Sequence, residues 1–515
     1  MLIKIASAKC VGIEALPVIV EVNVANGIGI HLVGLADVAV KESLLRTVTA
    51  LQAIGLRVPG KKIVINLAPA DIHKKGSGYD LPIALGIIAA SQQMEMKDLD
   101  KYVITGELGL DGTVRYVPGA LPISEMANRN GYKASILPYD SAIETACFDT
   151  GTVYGVHTLK DVLAILCQRE GCDSLIMREG RVAVTSDSGE NAGWQAMDFS
   201  EIVGQEVAKR GLEIAASGGH NAIMVGPPGS GKSSLAKALC GIMPPMSSEE
   251  ALQTCKIYSV AGRGLPSHVN SFTRPFRAPH TTTSVPALVG GGSDSITPGE
   301  ISLAHNGILF LDEFCEMPKK TMEVLRGPLE EHRIILSRLR TKVEYPANFT
   351  LIAATNPCPC GYFGEGDRCT CSVGQRKSYL AKLSGPLMDR IDIQLWLHSV
   401  DTKKLMNTAE KEESSSTVSA RVMRTREIQR KRFRNDGIFC NAQMNNRLMK
   451  KYCPLDSQCR EFLDRICERM GLSARACMKI VKLSRTIADM DLSDDIRIEH
   501  ISEAVSYRFL DRNDA

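Results

Sequence analysis

Four apolar residues, Ala222-Ile-Met-Val225, run directly into Gly226-Pro-Pro-Gly-Ser-Gly-Lys-Ser233 and then into Ser234–Cys240, which suits a helix. This order leaves few folds open. A short buried strand must turn abruptly at its C-terminal end, and glycines let the backbone curl so that successive N–H groups point inward. The helix that starts there adds the positive end of its dipole. The pattern G-x-x-x-x-G-K-S therefore assigns Gly226, Pro227, Pro228, Gly229, Ser230, Gly231, Lys232 and Ser233 to the phosphates of a nucleotide. Lys232 would reach the β- and γ-phosphates, and the Ser233 hydroxyl would ligate Mg²⁺.

Three later segments extend this site. Gly307-Ile-Leu-Phe-Leu-Asp-Glu313 is a buried strand that delivers two carboxylates at its C-terminal edge, where open α/β sheets bind ligands. Asp312 would hold Mg²⁺ and Glu313 would polarise the attacking water. Phe349-Thr-Leu-Ile-Ala-Ala-Thr-Asn356 is a second such strand, and its terminal amide could orient that water. Ser384-Gly-Pro-Leu-Met-Asp-Arg-Ile-Asp392 places Arg390 just beyond a short helix, where it could stabilise the γ-phosphate of a neighbouring subunit. Together these residues imply ATP hydrolysis.

The chain has 515 residues, too many for one core, and is expected to hold roughly two to four domains. Residues 1–170 alternate strand and helix signals, with strands around Pro17–Val24, Lys62–Leu67 and Tyr102–Thr105 and helices over Val38–Ile54 and from Asp80 to Ala90. Residues 171–197 turn to Gly, Ser and acidic residues and read as a linker. Residues 198–399 form the α/β nucleotide core. Residues 400–515 are helical, with a polar tether at Lys411–Ser419. The net charge of +3 does not by itself announce a nucleic-acid binder. The N-terminal stretch lacks the layout of a secretory signal, and no run reaches the roughly 18–20 apolar residues that span a bilayer. A cytoplasmic protein follows, with its sixteen cysteines mostly reduced.

Taken in order, these segments resemble AAA+ ATPases, and most closely the ComM/YifB family of magnesium-chelatase-like proteins. The phrases that carry the resemblance include VGLADVAVKES (33–43), NLAPADIHKKGSGYDLPIAL (66–85), RPFRAPHTTTS (274–284), PGEISLAHNGILFLDE (298–313), NPCPCGYFG (356–364), SGPLMDRID (384–392) and LSARA (472–476). The fold implied is multidomain α/β: a Lon-protease-like α+β N-terminal domain, an AAA+ P-loop parallel-sheet core and an α-helical C-terminal lid. By resemblance, Asn356 is the sensor-1 residue, Arg390 the arginine finger and Arg475 the sensor-2 arginine on the lid. The family is described as hexameric rings that promote ATP-driven branch migration of DNA taken up by the cell. One departure is visible: the family pairs histidines after RPFRAP, whereas His280 is followed here by Thr281. A Lon-type peptidase is not expected. Gly78 stands at the position of the nucleophilic serine, with Ser77 one residue early, and Ile123 stands where the partner lysine belongs.

Two further sets of residues suggest sites. Cys358-Pro-Cys360 and Cys369-Thr-Cys371 form two C-x-C pairs around an eight-residue loop and could close a structural Zn²⁺ site. Four reduced or redox-active thiols around a turn is the other reading. Arg338, Arg340 and Lys342 alternate with uncharged residues, which on a β-hairpin would put all three on one face able to track a DNA backbone. Basic edge strands also guard against aggregation. Arg274 and Arg277 would belong to a second DNA-facing insert. Arg421, Arg424, Arg426, Arg430, Lys431, Arg432 and Arg434 make a basic helix, either a solvated face or a DNA contact. The expected function is an ATP-dependent hexameric motor on single-stranded or branched DNA. The alternatives are a chelatase-type ATPase that remodels a protein partner and an ATP-dependent protease, against which the missing Ser–Lys pair counts.

Overall fold

A computed structural model describes residues 2–34, 38–69, 74, 76–178, 197–264, 272–292, 296–338, 341–399 and 412–511. The N-terminal unit is built on a mixed seven-stranded sheet. Val18, Val20 and Val22 alternate inward along Glu14–Ala25, which pairs antiparallel with Leu2–Val11 on one side and Lys62–Ala68 on the other. Beyond Leu2–Val11 the sheet continues in parallel through Tyr102–Ile104, Ala134–Pro138 and Val153–Val156. Helix Asp80–Ala90 is apolar on nearly every side and correspondingly buried along its length. Residues 171–178 are not linker. The Met177 N–H donates to the Val153 carbonyl (2.8 Å) and Ile176 bridges Tyr154, so this stretch is bound to the edge of the sheet. The rest of the expected linker, 179–196, lies outside the described residues.

The central unit is a five-stranded sheet in the order Phe276–Arg277, Ile308–Leu311, Thr350–Thr355, Ala222–Val225, Ile393–Trp396, with every neighbouring pair parallel. Strand periodicity splits its side chains between two layers. Ile223, Val225, Leu309, Leu311, Leu351 and Ala353 face one hydrophobic cluster, and Ala222, Met224, Phe310, Ile352, Ala354 and Leu395 face another. The second cluster continues into the C-terminal helices. Val418 and Val422 of helix Ser415–Arg432, and Ile480, Leu483 and Ile487 of helix Ala474–Met490, belong to it. Among the described residues the C-terminal part has no strand, as expected. The polar tether is shorter than expected, because Ser415–Ser419 form the first turn of a helix capped by the Ser414 side chain. The C-terminal end returns to the sheet, where the Leu510 N–H donates to Gln394 (2.7 Å) and buried Arg508 to the Ile391 carbonyl (2.7 Å).

Cys467 and Cys477 form a disulfide, with Cα atoms 6.5 Å apart, an exception to the expectation that the cysteines are mostly reduced. They lie in the last turn of helix Ser457–Met470 and the first turn of helix Ala474–Met490, and the tight turn between brings them face to face.

Helix Ser248–Ala261 joins the N-terminal and central units. Its Lys256, only 5% exposed, lies between Glu14 (3.0 Å) and Glu125 (2.6 Å). The Ser259 carbonyl accepts from the Gly119 N–H (3.0 Å). The turn after the first strand also meets the central unit. A Cβ on Gly12 (φ +63°) would stand 2.7 Å from the Glu344 carbonyl oxygen, an approach that only glycine permits.

Candidate functional site

The phosphate-loop signature leaves the central sheet at its C-terminal edge. Gly226 follows strand Ala222–Val225, and its N–H donates to the Thr355 carbonyl (3.2 Å). Gly229 (φ +77°) and Gly231 (φ +88°) curl the backbone into open space. Helix Lys232–Ile242 then begins without a side-chain cap, so its N-terminal dipole faces the loop. The Lys232 ammonium folds back on the loop and donates to the carbonyls of Gly226 (2.7 Å) and Pro227 (2.8 Å). Burial pushes its pKa down, against the opposing pull of Asp312.

The residues expected from three separate segments converge here. The Ser233 hydroxyl donates to Asp312 Oδ2 (2.8 Å), the two groups assigned to Mg²⁺. Asn356, at the end of strand Thr350–Thr355, lies 3.4 Å from the Lys232 ammonium. Glu313 is exposed and takes a left-handed backbone conformation (φ +46°), its N–H bonded to Asp312 Oδ1 (2.8 Å). Such a conformation is unfavourable for a side-chain-bearing residue, and it separates the two adjacent carboxylates by function: one on the serine, one free towards solvent.

Arg390 and Arg475 are elsewhere. Arg390 precedes the edge strand Ile393–Trp396, and its carbonyl accepts from the Asn221 side chain (3.0 Å), just before strand Ala222–Val225 begins. This is the opposite edge of the sheet, a strand length of roughly 13 Å away. The guanidinium is held by the Arg326 carbonyl (3.1 Å), by Pro386 and by an ion pair to Glu330. Arg475, 67% exposed at the start of helix Ala474–Met490, approaches Asp389 (3.9 Å) on the same edge. Neither arginine reaches the phosphate loop of its own chain.

Sequence reasoning missed what anchors this second edge. Asp392 is paired with Lys479 (2.8 Å) and faces His220 (3.4 Å). Burial alone would raise its pKa, but Lys479 and His220 hold it far below the usual carboxylate range. The only advance signal was the polar pair His220-Asn221 at the mouth of an otherwise apolar strand.

The cysteine pairs converge. The Sγ atoms of Cys358, Cys360, Cys369 and Cys371 lie within 4.8 Å of one another. The Tyr362 N–H holds the Cys360 thiol down at about 6. The loop they anchor lies against the nucleotide site.

The cations nominated for DNA fare differently. Arg274 donates to Glu250 and to the carbonyls of Pro244 and Asn306, and Arg277 is bidentate to Glu300 (2.6 and 2.9 Å). Both are engaged in ion pairs within the chain. The hairpin Arg333–Arg338/Thr341–Pro346 does form, but its register sets Arg338 opposite Thr341 and Lys342 opposite Ser337. Positions 338 and 342 therefore fall on alternate faces, because the turn between the strands breaks the period of two. Arg340 lies outside the described residues. Lys342 is exposed. In the basic helix, Arg421 is bound to Glu213 and Glu413, and Arg432 to Asp489, while Arg424, Arg430, Lys431 and Arg434 are exposed.

Residues 198–405 match the family model described as magnesium chelatase, subunit ChlI. Residues 20–141 match that of subunit ChlI of Mg-chelatase, and 412–508 that of the ChlI C-terminal part. The chain is 42% identical over 511 residues to protein YifB of Salmonella typhimurium, covering 97% of this chain and 96% of that protein. It is 40% identical over 509 residues to competence protein ComM of Haemophilus influenzae, covering 98% and 97%. The chain belongs to the ComM/YifB family of magnesium-chelatase-like proteins. Beyond the ComM/YifB members, a fission-yeast protein, DNA replication licensing factor mcm6 of Schizosaccharomyces pombe, is 23% identical over 337 residues, 59% of this chain and 33% of that one. No helix among the described residues is long and apolar enough to cross a membrane.

Proposed function

We propose that this ComM/YifB member is an AAA+ ATPase that works on DNA as a ring, with each ATP held between two subunits. The observation that carries this reading is the division of the site between two edges. Lys232, Ser233, Asp312, Glu313 and Asn356 gather at one edge of the sheet, and Arg390 and Arg475 at the other. The first set binds ATP and Mg²⁺ and positions water. The second set can act only on the nucleotide of an adjoining subunit, where Arg390 would exchange Glu330 for a γ-phosphate and stabilise its transition-state charge. Arg475, the sensor-2 arginine of the resemblance, is read here as a second contribution in trans.

Residues 1–170 are read as a Lon-like fold without peptidase chemistry. Ile123 is a core residue packed with Ala6, Ala8 and Val103, and the Ser77 hydroxyl is bonded to Glu107. The DNA part of the reading rests on the similarity to a competence protein and to a replication licensing factor, together with exposed Lys342 and the exposed cations of helix Ser415–Arg432. Within it, branch migration of incoming DNA is the reaction the family resemblance favours. The second reading, ATP-driven remodelling of a protein partner, gains from the commitment of Arg274 and Arg277 to internal ion pairs.

ATPase rate measured with and without single-stranded and four-way-junction DNA separates the two. Stimulation by DNA that disappears in Glu313→Gln is expected. Hydrolysis indifferent to DNA at low and high salt would sink the DNA motor in favour of the protein partner. The trans arrangement has its own check: Arg390→Ala is expected to lower hydrolysis by about 10²-fold or more. Activity should return on mixing with Lys232→Ala subunits, which supply intact arginines.

A further inference from the structure

The loop 357–371 is a wall of the nucleotide site, and its four cysteines converge on one point. Cys358, fully buried, lies 3.3 Å from Cys360 and 3.8 Å from Cys369, and Cys360 lies 3.7 Å from Cys369 (Sγ to Sγ). Tetrahedral zinc–thiolate bonds of about 2.3 Å require sulfurs about 3.8 Å apart. Thiolates on a multi-iron cluster are divided among its irons and so spread farther as a set, whereas the spacing here fits a single soft ion.

The loop is tied to the catalytic edge at several points. Asn356 is two residues from Cys358. A Cβ on Gly361 (φ +87°) would stand 3.0 Å from Pro228 of the phosphate loop and 3.9 Å from the Asn356 amide carbon. Phe363 packs edge-on against Trp396 of the outer strand, with the Arg376 guanidinium 4.0 Å over its other side. Glu365 accepts from the Ser399 N–H (2.9 Å).

We propose that Cys358, Cys360, Cys369 and Cys371 bind one Zn²⁺, and that this ion fixes the wall that positions Asn356 and the Pro228 turn for ATP. The ion is structural: four protein ligands leave no open coordination position. The metal site stands independently of the ATPase reading, and only its coupling to nucleotide rests on that reading.

The test uses the full chain purified without chelator. Metal content by mass spectrometry is expected to show one zinc per chain, with four thiols becoming titratable as zinc is released to a colorimetric indicator. Cys369→Ser/Cys371→Ser is expected to lose the zinc and to bind a fluorescent ATP analogue about tenfold more weakly. Gly361→Ala should keep the zinc yet weaken nucleotide binding, because it disturbs the contact with Pro228 and not the ligands. Should the double variant fail to fold, wild-type protein depleted by a strong chelator and titrated with ZnCl₂ gives the same readout. Absence of zinc from wild-type protein, even after reconstitution with ZnCl₂, would overturn the site. Zinc that can be removed and restored without changing nucleotide affinity would overturn the coupling. Loaded protein that binds no nucleotide would refute the ATPase reading and leave the metal count to judge the site.

Discussion

The loop Gly76–Tyr79 leads into helix Asp80–Ala90 much as Gly226–Gly231 leads into helix Lys232–Ile242. In the first, the chain itself satisfies the helix start. The Leu81 N–H donates to the Gly106 carbonyl (3.1 Å), and the buried Asp80 carboxylate accepts from Arg46 (2.7 and 3.2 Å) and from the Leu108 N–H (3.2 Å). In the second, no carboxylate of the first turn and no side-chain cap meets the helix dipole. Glycines before a helix therefore do not make an anion site. What differs is the carboxylate: Asp80 lies in the first turn of its own helix and is paired with Arg46, whereas at the second helix the carboxylate is Asp312, which reaches Ser233 from a neighbouring strand.

Each half of this contrast can be broken. The largest effect is expected for Lys232→Ala, which should cut ATP hydrolysis by about 10²-fold or more while the circular-dichroism spectrum stays that of the wild type. Persistent hydrolysis would erase the distinction between the loops. Asp80→Ala should do the reverse. It removes the carboxylate that accepts from Arg46 and from the Leu108 N–H, so urea unfolding should report a loss of about 2 kcal/mol, below the value for a fully buried pair because Arg46 is partly exposed. ATPase activity per folded molecule should not change.

A smaller effect is expected where the N-terminal and central units meet. Glu144 is 3% exposed and accepts from the Tyr116 hydroxyl (3.1 Å), and burial pushes its carboxyl up to about 7. The folded state thus holds this proton more tightly than the unfolded chain does. Its contribution to stability is complete below about pH 4.5 and is lost as pH rises through about 7. Relative to wild type, Glu144→Gln should raise Tm by a few degrees at pH 8 and flatten the difference between pH 5 and 7; an unchanged pH profile would contradict this assignment. The smallest effect is expected for Ser77→Ala: no ATP-dependent casein degradation before or after the substitution.

Much of the fold was legible because it is local. Helix Asp80–Ala90 matches its expected range, and the strands ending at Val225, Leu311 and Thr355 declare themselves as apolar runs that stop at a glycine or a polar residue. The grouping of Ser233 with Asp312 and of Lys232 with Asn356 was legible from order along the chain. What escaped depends on partners distant in sequence. Arg274 and Arg277 read as free cations because Glu250 and Glu300 are more than twenty residues away. The face of Lys342 was misjudged because a turn resets the alternation that a continuous strand would keep. The disulfide between Cys467 and Cys477 depends on how two helices meet across a turn, which composition does not encode.

The ion pair between Lys479 and Asp392 carries a mechanical consequence. It ties the helix that bears Arg475 to the strand that pairs with Ala222–Val225, and both belong to one continuous hydrophobic cluster. On the proposed reading the subunit would act as a stiff plate with working edges at a set separation, not as a jaw that closes on its own nucleotide. In a ring of such plates the joints between neighbours are where the shape can change. On the proposed ring reading, each hydrolysis event would be felt as a rotation passed from one subunit to the next.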